Sequence, residues 1–264
     1  MMANATERRL TPEEQGHFEE VGYLITRSLL HGEALRALQD EIDHIMLGTA
    51  DVRYDDLMME LDSPTEAKAD YSPGFKGATL SYKRIQHLDI APVVRRYIQQ
   101  PLFRDACARI YGEKTVSLFR AMLVNKLPGR GAVIGWHQDC WNYLDTNPLL
   151  TVWTALDPAN AESGGLRVLP GSHRQEHLSK EDSSGFLTEA MVEEYCRDRE
   201  VVHLHVEPGD AVLLHNHLLH ASDRNASARR RRAISVCYMD AATRNLRESV
   251  SYPVVFGPGV YDDP

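Results

Sequence analysis

A histidine and a carboxylate stand two residues apart in residues 135–139 (GWHQD). Side chains at positions i and i+2 of a strand point to the same face, so His137 and Asp139 could ligate one metal ion. A second histidine from a distant strand would complete a set of two histidines and one carboxylate, which leaves one face of an octahedral Fe(II) open. An isolated pair of this kind more often lies at a surface or core edge, so its chemistry depends on other residues.

His220 best completes this set, because a hydroxyl and a guanidinium follow it at short spacing. Ser222 lies two residues after His220, and Arg231 lies eleven residues after it. An arginine on the next strand can pair in bidentate fashion with a dicarboxylate whose other end chelates the metal. The order of metal ligand, hydroxyl donor and guanidinium indicates a 2-oxoglutarate site.

Other histidines compete with His220 for the role of ligand. His215 and His217 are two residues apart and could share a face, but neither has a serine at +2 and an arginine at +11. His203 and His205 alternate on a predicted strand, and half-exposed strand positions are the simpler interpretation of both. We therefore expect His220 to be the second histidine ligand.

Arg231 belongs to a run of four arginines at residues 229–232. Such a run usually forms a solvated face or a phosphate-binding patch. On a strand, however, alternate side chains point in opposite directions. We expect Arg231 to point inward, while Arg230 and Arg232 point outward.

The elements that must position these residues change in character along the chain. An N-cap at Thr11 and apolar residues at helical spacing indicate that helices come first. We predict helices at residues 11–20, 35–46, 92–99 and 102–111, and a short strand at 23–25. From residue 116 onward, short apolar runs alternate with Gly- and Pro-containing turns, and residues 201–206 (VVHLHV) alternate most clearly. This texture is typical of an antiparallel sandwich or barrel.

The segment 48–80 differs from the rest, because it is polar, interrupted by Gly and Pro, and without a sustained period. Residues 51–76 contain seven acids and three bases. A long segment without regular structure inside a compact domain is usually a functional lid or is disordered. The acid excess weakly favours a cationic or amine-bearing substrate over a fatty acyl-CoA, but a solvated surface is the better explanation of these acids.

Composition narrows the class of protein. The 264 residues include 29 Lys and Arg against 38 Asp and Glu, which gives a formal net charge of −9 at pH 7 and disfavours nucleic-acid binding. The four cysteines form no CxxC pair, residues 1–15 contain no apolar core of a signal peptide, and no apolar run approaches a membrane span. We expect free thiols, a cytoplasmic location, and neither nucleic acid nor membrane as a partner.

Residues 10–242 resemble the phytanoyl-CoA dioxygenase (PhyH) family of non-haem Fe(II)/2-oxoglutarate oxygenases, which also includes ectoine hydroxylase. The likeness begins with LTPEEQGHFEEVGYL and is strongest in WHQD, VWTALDPANAESGGLRVLPGSH and PGDAVLLHNHLLHASDRNASARRRRAIS. It implies a mainly β fold, with a double-stranded β-helix (jelly-roll, cupin-like) core and N-terminal helical elements. We expect one oxygenase domain over residues 1–264, with a helical part at about 10–111, a core at about 116–242 and a tail at 243–264.

The resemblance assigns the metal and cosubstrate positions. The family's iron ligands fall on His137, Asp139 and His220. The arginine that binds the distal carboxylate of 2-oxoglutarate falls on Arg231, with the nearby serine at Ser222. Fe(II) as the metal, with 2-oxoglutarate and O2 as cosubstrates, follows from this resemblance.

The resemblance also extends to positions around these residues. Lys83 matches a lysine that helps to bind the cosubstrate, and Met122 and Trp153 match positions that line the pocket. The stretch that commonly faces the substrate in the family falls on Trp141, Asn142 and Tyr143. For Trp141, core packing is an equally good interpretation.

The reaction implied is the oxidation, most simply the hydroxylation, of an unactivated C–H bond in a small molecule, with release of succinate and CO2. A secondary-metabolite intermediate or an amino-acid derivative is the expected substrate class. Related halogenases carry a small residue where Asp139 stands, so the carboxylate favours oxygenation. Desaturation, epoxidation and rearrangement stay open, and monomer and homodimer are both compatible.

Two alternatives come from other classes. A cupin-like zinc-dependent hydrolase could use the same histidine and aspartate set, but it does not explain the spacing of Ser222 and Arg231. A non-catalytic binding protein could keep the fold, but a decayed site should have lost at least one of these residues.

Overall fold

The computed structural model describes residues 8–62 and 71–260. Helices occur mainly in the first part of the chain, as predicted. They are α1 (Pro12–Val21), α2 (Gly32–Leu47), α3 (Pro92–Ile98), α4 (Pro101–Tyr111) and α5 (Glu189–Cys196). None of the helices in the described ranges combines the length and apolar character needed to cross a bilayer.

The larger of two sheets contains nine strands within the described residues. They are β1 (Tyr23–Thr26), β2 (Met58–Leu61), β3 (Tyr71–Pro73), β4 (Tyr82–Gln86), β5 (Val116–Lys126), β7 (Leu150–Ala155), β10 (Ala211–His215), β12 (Arg231–Asp240) and β13 (Val254–Phe256). Their order is β1-β10-β7-β12-β5-β4-β2-β3, and β13 pairs with β5. The pairs are antiparallel.

The smaller sheet contains four strands in the same part of the chain. They are β6 (Ile134–His137), β8 (Leu166–Val168), β9 (Val202–His203) and β11 (His220–Ser222), in the order β6-β11-β8-β9. A cavity lies between the two sheets, because residues of both line it. This arrangement confirms the predicted jelly-roll core with helices before it.

Local chemistry explains how the first helix begins and ends. The Thr11 hydroxyl accepts a hydrogen bond from the Glu14 amide, and the Glu14 carboxylate accepts one from the Thr11 amide, which forms a capping box. Gly22 ends α1 in the left-handed region at φ 84°. A Cβ at Gly22 would lie 2.4 Å from Nδ1 of His173, so this turn accepts only glycine.

The two faces of the larger sheet have different neighbours. One face packs on the helices, where Ile42 of α2, Phe103 of α4 and Leu123 of β5 belong to the same fully buried cluster. Met122 and Val124, which flank Leu123, line the cavity on the other face. Alternation along each strand therefore separates an apolar core from a more polar site.

The segment 48–80 has more regular structure than its sequence pattern predicts. Strand β2 pairs with both β3 and β4, so part of this segment extends the larger sheet at its edge. Strands of three and four residues are too short to show a period in the sequence. Residues 63–70 of the predicted lid lie outside the described residues.

The alternating stretch 201–206 forms less strand than predicted. Only Val202–His203 pairs regularly, because its partner β8 has three residues. Beyond β9 the chain continues with single contacts, such as the bridge between Ala159 and Val206. His203 and His205 are exposed, in agreement with the simpler interpretation of both.

The buried hydroxyl of Tyr111 supports a stability prediction. This hydroxyl donates to the Tyr238 carbonyl at 2.6 Å and accepts from the Leu149 amide at 2.8 Å, so it connects the end of α4 with β12 and the start of β7. Tyr111→Phe removes both hydrogen bonds of this hydroxyl and should lower the free energy of unfolding by about 2 kcal/mol. Urea denaturation measures this change. Tyr195→Phe, at a half-buried tyrosine of α5, should change it by less than about 0.5 kcal/mol, and equal losses would contradict the prediction.

Candidate active site

Two strands of the smaller sheet bring the predicted histidines together. His137 ends β6, His220 begins β11, and the two residues are direct partners across the antiparallel pair. Asp139 lies two residues beyond β6. Each of the three residues offers one ligand atom, and these atoms lie within 4.8 Å of one another. In the described part of the chain, no other group of three His, Cys, Asp or Glu side chains meets this criterion.

Both imidazoles are oriented by the backbone. Nδ1 of His137 lies 2.9 Å from the Gly135 carbonyl, and Nδ1 of His220 lies 2.9 Å from the Leu218 carbonyl. A carbonyl can only accept, so each Nδ1 carries a proton and each Nε2 is the ring atom left to bind a metal. Burial, reinforced by His220, lowers the pKa of His137 to about 4, so this ring is neutral near pH 7.

Asp139 is held from several sides. Its amide donates to the Asn216 carbonyl at 2.8 Å, and Oδ2 accepts from the Thr151 hydroxyl at 3.2 Å. Nη2 of Arg120 lies 3.6 Å from Oδ1. Burial by itself would raise the pKa of this carboxyl, but Arg120 and the two histidines outweigh burial and leave the pKa below its ordinary value. The carboxylate is therefore ionised and ready to bind a cation.

The donor set suits a divalent transition metal with open positions. Two imidazoles and one carboxylate on one face match the set that binds non-haem Fe(II). Phe186 stacks on the His137 ring, with centroids 4.7 Å apart, and covers its outer side. Three side chains thus face a common point while the rest of the cavity stays open to a second ligand.

Arg231 is buried beside this centre with much of its hydrogen-bonding capacity unused. It is 1% exposed, and Nη2 donates to the Gly164 carbonyl at 2.7 Å. Nε and Nη1 are buried without a hydrogen-bond partner in the described residues. The guanidinium also lies 5.4 Å from the centroid of the Trp153 ring. A buried cation with unused donors fits an anionic ligand such as a carboxylate.

Lys126 is a residue of this region that the sequence analysis missed. It lies opposite Arg231 in the β5–β12 pair and is 2% exposed. Nζ donates to the Ser222 hydroxyl at 2.8 Å, to the Ser222 carbonyl at 3.2 Å, and to the Asp223 carbonyl. Because the Ser222 oxygen accepts from Lys126, its own proton can be donated to a ligand. The signal in the sequence is the period of two on β5, which places Lys126 on the same face as Met122.

The cavity has a volume of about 370 Å³ and contains most of the predicted site residues. Those that line it are His137, Asp139, His220, Ser222, Arg231, Lys83, Met122, Trp153 and Trp141. Lys83 already has an ion-pair partner, because its Nζ lies 3.1 Å from Oε1 of the buried Glu60. The volume is within the range of pockets that bind small molecules.

Two predicted substrate contacts do not line the cavity. Trp141 lines it, but Asn142 is exposed and Tyr143 is half-buried at the surface. The chain turns at residues 141–144, and both side chains face the C-terminal segment instead. There Arg247 donates to the Asn142 amide oxygen at 2.8 Å and lies over the Tyr143 ring.

The histidines that compete with His220, and the arginines on either side of Arg231, do not line the cavity. His215 and His217 pack against each other, with ring centroids 5.2 Å apart, and do not line the cavity. Arg230 and Arg232 both bind Asp43, and Arg232 also binds Asp157. Arg232 therefore lies on the opposite face of β12 from Arg231, as the alternation predicts, but it is buried in ion pairs with α2 and Asp157 rather than solvated.

Comparisons with known proteins point to one family. The family model described as phytanoyl-CoA dioxygenase (PhyH) matches residues 18–233. The Homo sapiens protein named "Phytanoyl-CoA dioxygenase, peroxisomal" is 28% identical over 244 residues, which cover 88% of this chain and 69% of the relative. A Caenorhabditis elegans "Probable phytanoyl-CoA dioxygenase" is 27% identical over 241 residues, covering 87% and 75%.

Solved structures share the fold at lower identity. EctD from S. alaskensis, described with 2-oxoglutarate and 5-hydroxyectoine, superposes with a TM-score of 0.72 at 17% identity, covering 99% of this chain and 88% of that one. The non-heme alpha ketoglutarate dependent carbocyclase SnoK from nogalamycin biosynthesis has a TM-score of 0.69 at 20% identity, covering 92% and 88%. At these identities the likeness establishes the fold.

Gly185 anchors the loop that covers His137 to the backbone of Gln138. It has φ 73°, its carbonyl accepts from the Gln138 amide at 3.1 Å, and a Cβ would lie 2.2 Å from the Gln138 carbonyl oxygen. Gly185→Ala should therefore lower the free energy of unfolding by about 3 kcal/mol, because backbone must move in addition to the cost of positive φ. Gly129→Ala is the matched control, since φ is 63° and the surrounding space is open, and it should cost only about 1 kcal/mol. Chemical denaturation distinguishes the two, and equal costs would show that the loop is not fastened at Gly185.

Proposed function

Because this chain belongs to the phytanoyl-CoA dioxygenase family of Fe(II)- and 2-oxoglutarate-dependent oxygenases, we propose that it oxidises a small molecule at an iron held by His137, Asp139 and His220. Family membership makes the chain an oxidoreductase. The observation that supports the site is the common cavity, in which the three candidate ligands and a buried arginine with unused donors face one another.

Arg231 and Ser222 are proposed to bind the distal carboxylate of 2-oxoglutarate, and Lys126 to orient Ser222 and add positive charge beside it. Nε and Nη1 of Arg231 are free to donate, and the Ser222 hydroxyl is oriented as a donor by Lys126. Trp153 packs beside the guanidinium and keeps it from turning away. A dianionic cosubstrate would thus be recognised by charge at one end and by the metal at the other.

When bound, iron and 2-oxoglutarate supply O2 activation, with succinate and CO2 as products and oxidation of a C–H bond. The residues of this chain orient the candidate ligands and line the cavity around them. The backbone carbonyls at Gly135 and Leu218 keep both imidazoles in one tautomer, and Thr151 keeps Asp139 pointed at the same centre. Phe186 packs on the His137 ring, and Trp153 lies beside the Arg231 guanidinium, so aromatic surface lines two sides of the cavity.

The substrate is proposed to be a small molecule, such as a secondary-metabolite intermediate or an amino-acid derivative. Hydroxylation is the simplest outcome, and desaturation, epoxidation and rearrangement use the same site. A zinc-dependent hydrolase would have no use for the unpaired donors of Arg231. The single domain and the cytoplasmic location stay predictions, and several relatives are named as peroxisomal.

His220→Gln tests the proposed metal site against its nearest competitor. Losing one of three ligands should lower Fe(II) affinity on the order of 100-fold or more and abolish succinate formation from 2-oxoglutarate. His217→Gln, three residues away and outside the cavity, should retain both. Iron content after anaerobic loading and succinate yield are the measurements. Stoichiometric iron in His220→Gln would overturn the assignment.

Lys126 predicts a pH dependence of cosubstrate binding. Burial, reinforced by Arg231 on β12 and Arg167 on β8 and opposed by Asp223, lowers the pKa of Lys126 to about 7. The charged form, which dominates below this pKa, attracts the dianion and is lost as pH rises above it. The KM for 2-oxoglutarate should therefore rise about tenfold between roughly pH 6 and pH 9, while kcat changes less.

The matched variants for this prediction are Lys126→Met and Lys180→Met. Lys126→Met should show a high KM at both pH values, because the titrating charge is gone. Lys180 is an exposed lysine outside the cavity, and its variant should keep the wild-type profile. An unchanged pH profile in Lys126→Met would show that another group causes the dependence.

A further inference from the structure

The cavity contains more positive charge than the proposed iron and 2-oxoglutarate require. Its charged lining residues in the described chain are Lys83, Arg84, Arg120, Arg231 and Asp139. Under the proposed function, Arg231 faces the cosubstrate and Asp139 faces the metal. Fe(II), the dianion, Asp139 and Arg231 together carry no net charge. The three remaining cations therefore determine the charge that the rest of the cavity presents to a substrate.

Arg84 and Lys83 share a single acid. Glu60 is 4% exposed, and its carboxylate lies 3.1 Å from Nζ of Lys83 and 2.8 Å from Nη2 of Arg84. Two cations on one carboxylate leave a net positive charge at this wall. The Arg84 guanidinium also lies 4.1 Å from the centroid of the Tyr71 ring, which holds it in place beside the cavity.

Arg120 is less closely paired with its nearest carboxylate, that of Asp139. Its Nη2 lies 3.6 Å from Asp139, beyond hydrogen-bond distance, and its Nε is buried without a partner in residues 8–62 and 71–260. Once Asp139 binds a metal, its charge is shared with that cation and neutralises Arg120 less. Arg120 lines the cavity, so a polar ligand atom there could accept a hydrogen bond from its guanidinium.

The other wall of the cavity is apolar. Val133 and Phe186 are 56% and 40% exposed, which is unusual for side chains of this size, and both line the cavity. They belong to the segment before β6 and to the loop that covers it, whereas the cations lie on β4 and β5 of the larger sheet. A ligand that satisfies both walls has a charged end and an apolar body.

We propose that the prime substrate carries an oxyanion group, a carboxylate or a phosphate, that Arg120 and Arg84 bind while its apolar body lies against Val133 and Phe186. This inference rests on the proposed function, because iron and 2-oxoglutarate account for Asp139 and Arg231. It reverses the weak expectation of a cationic substrate from the acids of segment 48–80. Among the acids of that segment in the described residues, Glu60 alone pairs with cations that line the cavity.

The test uses wild-type protein loaded anaerobically with Fe(II) and saturating 2-oxoglutarate, so that Arg231 is already occupied. Calorimetry measures binding of matched probe pairs, 3-phenylpropanoate against 3-phenylpropanamide and 3-phenylpropyl phosphate against 3-phenylpropanol. At least one anion should bind about tenfold or more tightly than its neutral partner. The pair with the larger ratio distinguishes a carboxylate from a phosphate.

Variants connect this preference to the arginines. Arg84→Gln and Arg120→Gln should each weaken binding of the preferred anion about tenfold and leave the neutral probe unchanged. Arg36→Gln removes the same charge from an exposed position of α2 outside the cavity and should keep the wild-type ratio. If Arg120→Gln disturbs iron loading through Asp139, Arg84→Gln decides the question.

Failure of this inference and failure of the proposed function give different experimental results. Equal binding of anion and neutral probe in both pairs, or an unchanged ratio in Arg84→Gln, overturns this inference. A wild-type protein that shows no visible metal-to-ligand charge-transfer band with Fe(II) and 2-oxoglutarate contradicts the proposed function instead. The probe pairs are then titrated against the metal-free protein, because both arginines carry their charge without a metal, and equal binding there still overturns the inference.

Discussion

The pairing of His137 with His220 across two short antiparallel strands is the contact on which the site depends. Direct partners in such a pair have their side chains side by side on one face of the sheet. The ring centroids are 4.1 Å apart, and backbone carbonyls hold the two Nδ1 protons. A shift of register by one residue would turn one imidazole to the opposite face. Strand β8, which pairs with β11 on its other side, prevents that shift.

The burial of charge is the second constraint. Arg232 is buried and neutralised by Asp157 and Asp43, so it contributes to holding β12 against the rest of the fold. Arg231, its neighbour on the same strand, is buried more deeply with one hydrogen bond and two unused donors. An uncompensated buried cation lowers the stability of the free protein. An anionic ligand that pairs with Arg231 removes this cost, which couples ligand binding to stability.

Much of the site followed from spacing along the chain together with the family resemblance. The pair His137 and Asp139, the intervals from His220 to Ser222 and Arg231, and the resemblance named residues that the structure places around one cavity. The helices of the first part were predicted well, because caps and apolar periods are local signals. Strands β2 and β3 were missed, since their short length hides the alternation and pairing with β4 stabilises them.

The sequence thus determined the helices through local signals, and motif spacing with the family resemblance indicated the fold class and the residues of the candidate metal site. Which side chains meet at the cavity was decided by tertiary structure. Lys126 reaches Ser222 across 96 residues, and Glu60 reaches Arg84 across 24. Asn142 and Tyr143 turn away because Arg247, far along the chain, binds them. The net charge of a cavity depends on residues that are far apart in sequence. It is therefore set by how the two sheets pack and not by any local pattern.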